Sequence, residues 1–132
     1  PDASRCGGIS EVVKVCELAH KHGLRAATHT WSDAVAIVAN AHVISAMPNG
    51  ITVEVDRTDN PFVKELLAEP LQITDGQLAL SREPGLGIEL DMDAVDKLRM
   101  ADPLKMPDGS YSDMMFGKEY FPKSLPFEEG HA

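Results

Sequence analysis

The feature that most constrains this chain is that helical and extended segments alternate through its first 58 residues. Val12, Val15, Cys16 and Ala19 recur at helical spacing and form one apolar stripe. Ser10 is the expected N-cap of that helix, His20, Lys21 and His22 fall in its last turn, and Gly23 is the expected stop. Residues 24–27 then read as a short strand. Ser32 or Asp33 caps a second helix over residues 34–46, apolar on almost every side through Ala34, Val35, Ile37, Val38, Val43 and Ile44. Asn40 and His42 interrupt its apolar surface, and each is expected to bond a neighbouring group rather than do chemistry. After the turn at Pro48-Asn49-Gly50, Ile51-Thr52-Val53-Glu54-Val55 alternates as a β-branched strand. Helices alternating with strands predict parallel pairing and an α/β fold.

The order of elements also sets where reactive groups stand. Asp2, His29 and Glu54 fall at the carboxyl ends of three successive strand positions, where α/β proteins present their active sites. Imidazole suits proton transfer near neutral pH, and carboxylates beside it orient it or share the proton. Each residue also has a structural reading. His29 could be a hydrogen-bonded strand-end residue, Asp2 could cap the Gly7-Gly8 turn, and Glu54 could be a solvated side chain.

Composition excludes several alternatives. A net charge of −9 over 132 residues gives no footprint for a nucleic-acid backbone. No apolar run reaches bilayer length, so no membrane partner is expected. Cys6 and Cys16 fit neither a disulfide framework nor a four-ligand zinc site, Cys16 falls on the apolar side of its helix, and a cytoplasmic setting is expected. The chain opens on Pro1-Asp2 without a methionine, as an interior point of a longer protein would.

Beyond residue 60 the pattern changes. Residues 62–67 predict a short helix ended before Pro70, and Asp75-Gly76 predicts a hairpin between residues 71–73 and 77–80. Gly85-Leu86-Gly87 lacks the context of a nucleotide-binding fingerprint. Asp91 or Asp93 caps a short helix running to Leu98. From Ala101 onward, Pro103, Pro107, Pro122 and Pro126 break any long element, while Tyr111, Phe116, Tyr120 and Phe121 suggest a tail lying on another surface.

Taken together, these motifs resemble the C-terminal part of enolase-superfamily enzymes of the mandelate racemase branch. Asp2 with Arg5-Cys6-Gly7-Gly8-Ile9 resembles the sixth-strand motif of that family. Thr28-His29-Thr30-Trp31 resembles the seventh-strand motif, and Val53-Glu54-Val55-Asp56 the eighth. Asn60-Pro61-Phe62, Glu69-Pro70 and Pro84-Gly85-Leu86-Gly87-Ile88 are similar to the segment that returns after the barrel.

The resemblance implies the last units of a (β/α)7β TIM-like barrel over residues 1–58, a return segment contributing to a capping domain over 59–100, and an irregular tail over 101–132. It implies metal-assisted removal of a proton α to a carboxylate, with Mg²⁺ as cofactor and its ligands outside this chain, so that no metal site is expected in this segment. His29 is then the general base or acid, Asp2 fixes its tautomer, Glu54 faces the substrate carboxylate and in its protonated form donates to the enolate, and Trp31 lines the substrate. Lysine would stand in place of Asp2 in the muconate-lactonizing branch.

The run from Val53 to Asn60 resembles galactarolactone cycloisomerases and sugar-acid dehydratases. The expected substrate is therefore an acid sugar or its lactone, undergoing β-elimination after proton abstraction, with racemisation or epimerisation the less favoured outcome. The expected assembly is a homo-oligomer. An alternative from another class is a catalytically silent segment serving only for interaction, because an unclosed parallel sheet leaves open edges that invite association.

Overall fold

The computed structural model describes residues 1–99. The expectations for the tail, including the placement of Tyr111, Phe116, Tyr120 and Phe121, lie outside the described residues.

Helix α1 spans Ile9–Lys21 and strand β1 spans Ala26–Thr28; helix α2 spans Ala34–Ala46 and strand β2 spans Gly50–Val53. The strands pair in parallel, Ala26 with Gly50, Ala27 with Thr52 and Thr28 with Val53, with a bulge between Ala26 and Ala27. This is the expected α/β alternation. The remaining elements are α3 (Pro61–Lys64), β3 (Ile73–Thr74), β4 (Gln77–Leu78) and α4 (Met92–Leu98).

Local chemistry accounts for most of the boundaries. Helix α1 begins one residue before Ser10: Gly8 holds the N-cap position with φ 100° and no side chain caps the helix. The left-handed backbone there needs glycine, and it starts the helix before Ser10 can act as its cap. At the other end Gly23, at φ 69°, closes a Schellman turn, donating to the His20 carbonyl while Leu24 donates to Ala19. Asp33 caps α2 through its carboxylate, which accepts the Ala36 amide at 2.8 Å. Asp91 caps α4 in the same way, accepting from Asp93 and Ala94. The hairpin at Asp75-Gly76 forms with both residues at positive φ, 53° and 75°, and β3 and β4 antiparallel.

Helix α2 organises the core. Eight of its residues are buried, and it packs on β1, β2, α1 and α3. Val12 and Cys16 of α1 meet Ala26, Ala39 and Val43 in one cluster with Ala3. Burial pushes the Cys16 thiol above its ordinary range, as expected for a core residue. The stripe on α1 is narrower than its sequence suggests. Val15 is exposed, because α2 covers only the side that carries Val12 and Cys16.

Strand β1 starts two residues and ends one residue later than residues 24–27 suggest, since Leu24 is taken up by the helix turn. Strand β2 stops at Val53, so Glu54 follows it directly. The segment after Lys64 returns across the helices, where Leu67 and Leu90 form an antiparallel bridge. Among the described residues no helix is long and apolar enough to cross a membrane.

Candidate functional site

Parallel strands stand about 4.8 Å apart, so side chains at the same ends of neighbouring strands come within reach of one another. Backbone hydrogen bonds continue past the ends of β1 and β2 and set that geometry here. The Glu54 amide donates to the Thr28 carbonyl at 3.0 Å, and the His29 amide donates to the Pro1 carbonyl at 2.8 Å. Pro1 therefore runs beside β1 as β2 does on its other side. Asp2, His29 and Glu54 stand at one end of this three-segment ladder.

The side chains converge. His29 Nδ1 lies 3.1 Å from Asp2 Oδ2, and His29 Nε2 lies 3.8 Å from Glu54 Oε2. Glu54 Oε2 also accepts the Thr30 amide at 3.2 Å, which turns the carboxylate back over the loop after β1. Exposure differs sharply across the trio: the Asp2 side chain is 4% exposed and that of His29 49%. The imidazole thus has one side anchored in the protein and the other open.

Asp2 is held on both oxygens. Its Oδ1 accepts the Ser4 amide at 2.9 Å, the Ser4 hydroxyl at 2.8 Å and the Asn40 amide at 3.2 Å. Arg5 Nε stands 3.9 Å from Oδ2. Burial pushes the carboxyl upward, but the bonds from Ser4, His29 and Asn40 together outweigh it and bring its pKa down to about 2. An ionised Asp2 can only accept hydrogen bonds, so the proton between it and His29 sits on Nδ1. The Nε2 lone pair of a neutral imidazole then faces the open side.

Trp31, the fourth residue singled out from the sequence, follows on the same loop and is 62% exposed. A second carboxylate cluster braces that loop. Asp56 accepts from the Thr58 amide and hydroxyl and from Asn60 Nδ2, and the same Asn60 nitrogen donates to the Ser32 carbonyl at 2.7 Å. Those bonds, led by the Thr58 hydroxyl, hold the Asp56 carboxyl below its ordinary range.

Sequence reasoning missed Ser4 and the Asp56–Asn60 brace. Asp2-Ala3-Ser4 and Asp56-Arg57-Thr58 share a pattern in which an aspartate caps the amide two residues on, and that pattern was the available signal.

A groove of about 550 Å³ lies elsewhere, lined by Val38, Leu67, Pro70, Leu78, Leu86 and Ile88. It includes none of the three polar residues. The candidate site is marked by its chemistry rather than by concavity.

A buried acceptor, a half-open imidazole and a second carboxylate meet at parallel strand ends of an α/β protein, groups whose chemistry suits proton transfer. Comparison with known proteins gives the family. Residues 1–94 match the enolase C-terminal domain-like family, and the chain belongs to it. It is 41% identical over 111 residues to the D-galactarolactone cycloisomerase of Agrobacterium fabrum, covering 78% of this chain and 29% of that protein. It is 36% identical over 94 residues to the L-talarate/galactarate dehydratase of Salmonella typhimurium, covering 71% and 21%.

Among solved structures it is similar to a mandelate racemase/muconate lactonizing enzyme-like protein from Rubrobacter xylanophilus, with a TM-score of 0.69 and 35% identity over 76% of this chain and 26% of that one. It is also similar to the 3,6-anhydro-D-galactonate cycloisomerase of Zobellia galactanivorans, with a TM-score of 0.62 and 33% identity over 69% and 26%. These matches agree with the C-terminal part of a mandelate racemase-branch enzyme. The chain spans less than a third of the length of these relatives.

Membership of this superfamily generally implies a divalent metal. Among the described residues no group of three or more His, Cys, Asp or Glu side chains converges to hold one. Asp2 is saturated by donors and His29 Nδ1 is turned toward it, so these residues do not fit a metal cage.

Proposed function

We propose that the protein to which this chain belongs removes a proton α to the carboxylate of an acid sugar or its lactone, and that His29 is the base on one face of the substrate. One observation carries this reading: the 3.1 Å contact between the buried Asp2 carboxylate and His29 Nδ1, which leaves Nε2 facing the open side.

In this reading Asp2 holds the tautomer and balances the imidazolium that forms when Nε2 takes the α-proton. The C–H electron pair passes into an enolate. Collapse of the enolate forms a double bond and expels the β-substituent: a hydroxyl, which takes the proton from the imidazolium and leaves as water, or the ring oxygen of a lactone, which leaves as a carboxylate. Glu54, with an oxygen 3.8 Å from Nε2, stands where the substrate carboxylate would approach, and in its protonated form it donates to the enolate oxygen. Trp31 forms part of the substrate wall. The Mg²⁺ that the family implies would be held by residues outside this chain and would stabilise the enolate charge.

The similarity to a galactarolactone cycloisomerase and a talarate/galactarate dehydratase supports the acid-sugar class and β-elimination over racemisation. Under the same proposal residues 1–58 are the last units of a (β/α)7β barrel, 59–100 return to a capping domain, and the enzyme is a cytoplasmic homo-oligomer.

Screening the full-length protein with Mg²⁺ against a library of acid sugars and their lactones tests the proposal. Turnover of at least one sugar acid or lactone to an elimination or ring-opened product is expected, and no turnover of any member would contradict it.

A second reading is favoured by one observation: among the described residues β1 and β2 form a sheet of two strands. Two parallel strands cannot close a barrel, so this chain in isolation would be catalytically silent and prone to associate. Its intact mass discriminates the readings. A value well above 14.3 kDa supports the larger enzyme, and a value at 14.3 kDa with no metal binding supports the silent segment.

A further inference from the structure

Asn40 is a polar residue at 0% exposure in the middle of α2, a helix apolar on almost every side. An amide buried there requires partners, and it finds three. Its Oδ1 accepts the Ala3 amide at 3.0 Å, while its Nδ2 donates to Asp2 Oδ1 at 3.2 Å and to the Ala36 carbonyl at 2.9 Å. The first two bonds span 37 and 38 positions in sequence and join α2 to the segment carrying Asp2. The third fixes the rotamer of the amide against its own helix.

Both the backbone beside Asp2 and its carboxylate are therefore referenced to α2, which itself packs on β1 and β2. Without Asn40, Oδ1 keeps only its bonds from Ser4, two residues away on the same turn. Those local bonds set the shape of the turn, and the His29 amide ties its backbone to β1 at Pro1, but no bond from another element then reaches Oδ1.

We infer that Asn40 is a positioning residue: its amide locks the Asp2 carboxylate in the place that holds the proton of His29 on Nδ1. The inference rests on the reading of His29 as the base and deepens it. The charged and titratable groups around the imidazole are Asp2, Glu54 and, through Asp2, Arg5. Asn40 touches only the first of these and is closed off from solvent, so its effect on His29 runs through Asp2.

Two variants in the full-length enzyme separate positioning from plain support. Asn40→Ala removes all three bonds. Asn40→Asp keeps the volume and the acceptor for Ala3 but sets an oxygen against Asp2 Oδ1. Histidine ¹⁵N signals report the tautomer directly, and His29 is assigned by its loss in His29→Asn.

The wild type is expected to show the Nδ1–H form. In both variants the two ring nitrogens are expected to move toward averaged signals, with kcat down about tenfold or more and KM within about twofold. If the buried carboxylate unfolds Asn40→Asp, Asn40→Ala decides alone through the same signals. A wild-type tautomer signature in a folded variant overturns the assignment whether or not turnover falls, and so does failure of both variants to fold, which would make Asn40 a support of the core. Normal turnover by His29→Asn would remove the base reading, while the ¹⁵N signals would still decide the role of Asn40.

Discussion

Asp2 Oδ2 and His29 Nδ1 are 3.1 Å apart across 27 positions of sequence, with the carboxylate buried and the imidazole half open. The contact requires Pro1 to run beside β1, because only then do the two side chains leave neighbouring strands at the same level. The backbone bond from His29 to Pro1 supplies that alignment.

The bonds that hold Asp2 predict an acid-side stability change. Its ordinary value is 3.8 and its native value about 2. A carboxyl whose pKa is lower in the folded than in the unfolded state stabilises the fold above the unfolded value, and loses that contribution as pH falls through the folded value. The contribution is on the order of 2 kcal/mol, present above about pH 4 and gone below about pH 2. Denaturant titrations of the full-length protein and Asp2→Asn across this window should show the stability difference between them narrowing toward low pH. A difference independent of pH would mean that Asp2 is not held as described.

Gly50 tests the packing that places Glu54. Its Cβ position is filled by the Ile44 carbonyl oxygen in the last turn of α2, so Gly50→Ala would force α2 away from β2. A loss of about 1–3 kcal/mol is expected from such overpacking. Thermal unfolding measures it, and turnover should fall as well, because the start of β2 sets the register that carries Glu54 to His29. A variant as stable and active as the wild type would contradict that packing.

Trp31 offers the opposite combination. At 62% exposure it contributes little to the core, so Trp31→Ala should leave stability within about 0.5 kcal/mol. Under its proposed role in the substrate wall, its loss should weaken substrate binding about fivefold to tenfold, in line with the 0.5–1.5 kcal/mol of an aromatic contact. Unchanged affinity, measured by calorimetry with the best substrate from the screen, would remove Trp31 from the site.

The residues legible from the sequence are those governed by local rules. Asp33 and Asp91 cap the helices that follow them, Asp75-Gly76 turns the hairpin, Gly23 stops α1, and the alternation of periods gives parallel strands with His29 just beyond one of them. The others depend on contacts that sequence spacing does not encode. Ser10 lost the cap to Gly8 because the backbone had already turned. Val15 shares the stripe with Val12 and Cys16 but falls outside the surface that α2 covers. Asn40 and His42 are expected to bond neighbouring groups and do so, yet apart from Ala36 the partners, Asp2, Ala3 and Leu86, lie at least 37 positions away. For Asn40 that distance separates a buried amide that only satisfies itself from one that orients the acid–base pair.

The central claim is that His29 moves the α-proton of the substrate. Its most direct test is exchange of that proton with solvent deuterium by the full-length enzyme and by His29→Asn, with substrate binding measured in parallel. The variant should bind substrate as the wild type does while exchange falls by about 10²–10⁴-fold, the range for loss of a positioned base. Exchange at the wild-type rate in His29→Asn would contradict the account and return His29 to a purely structural role at the end of β1.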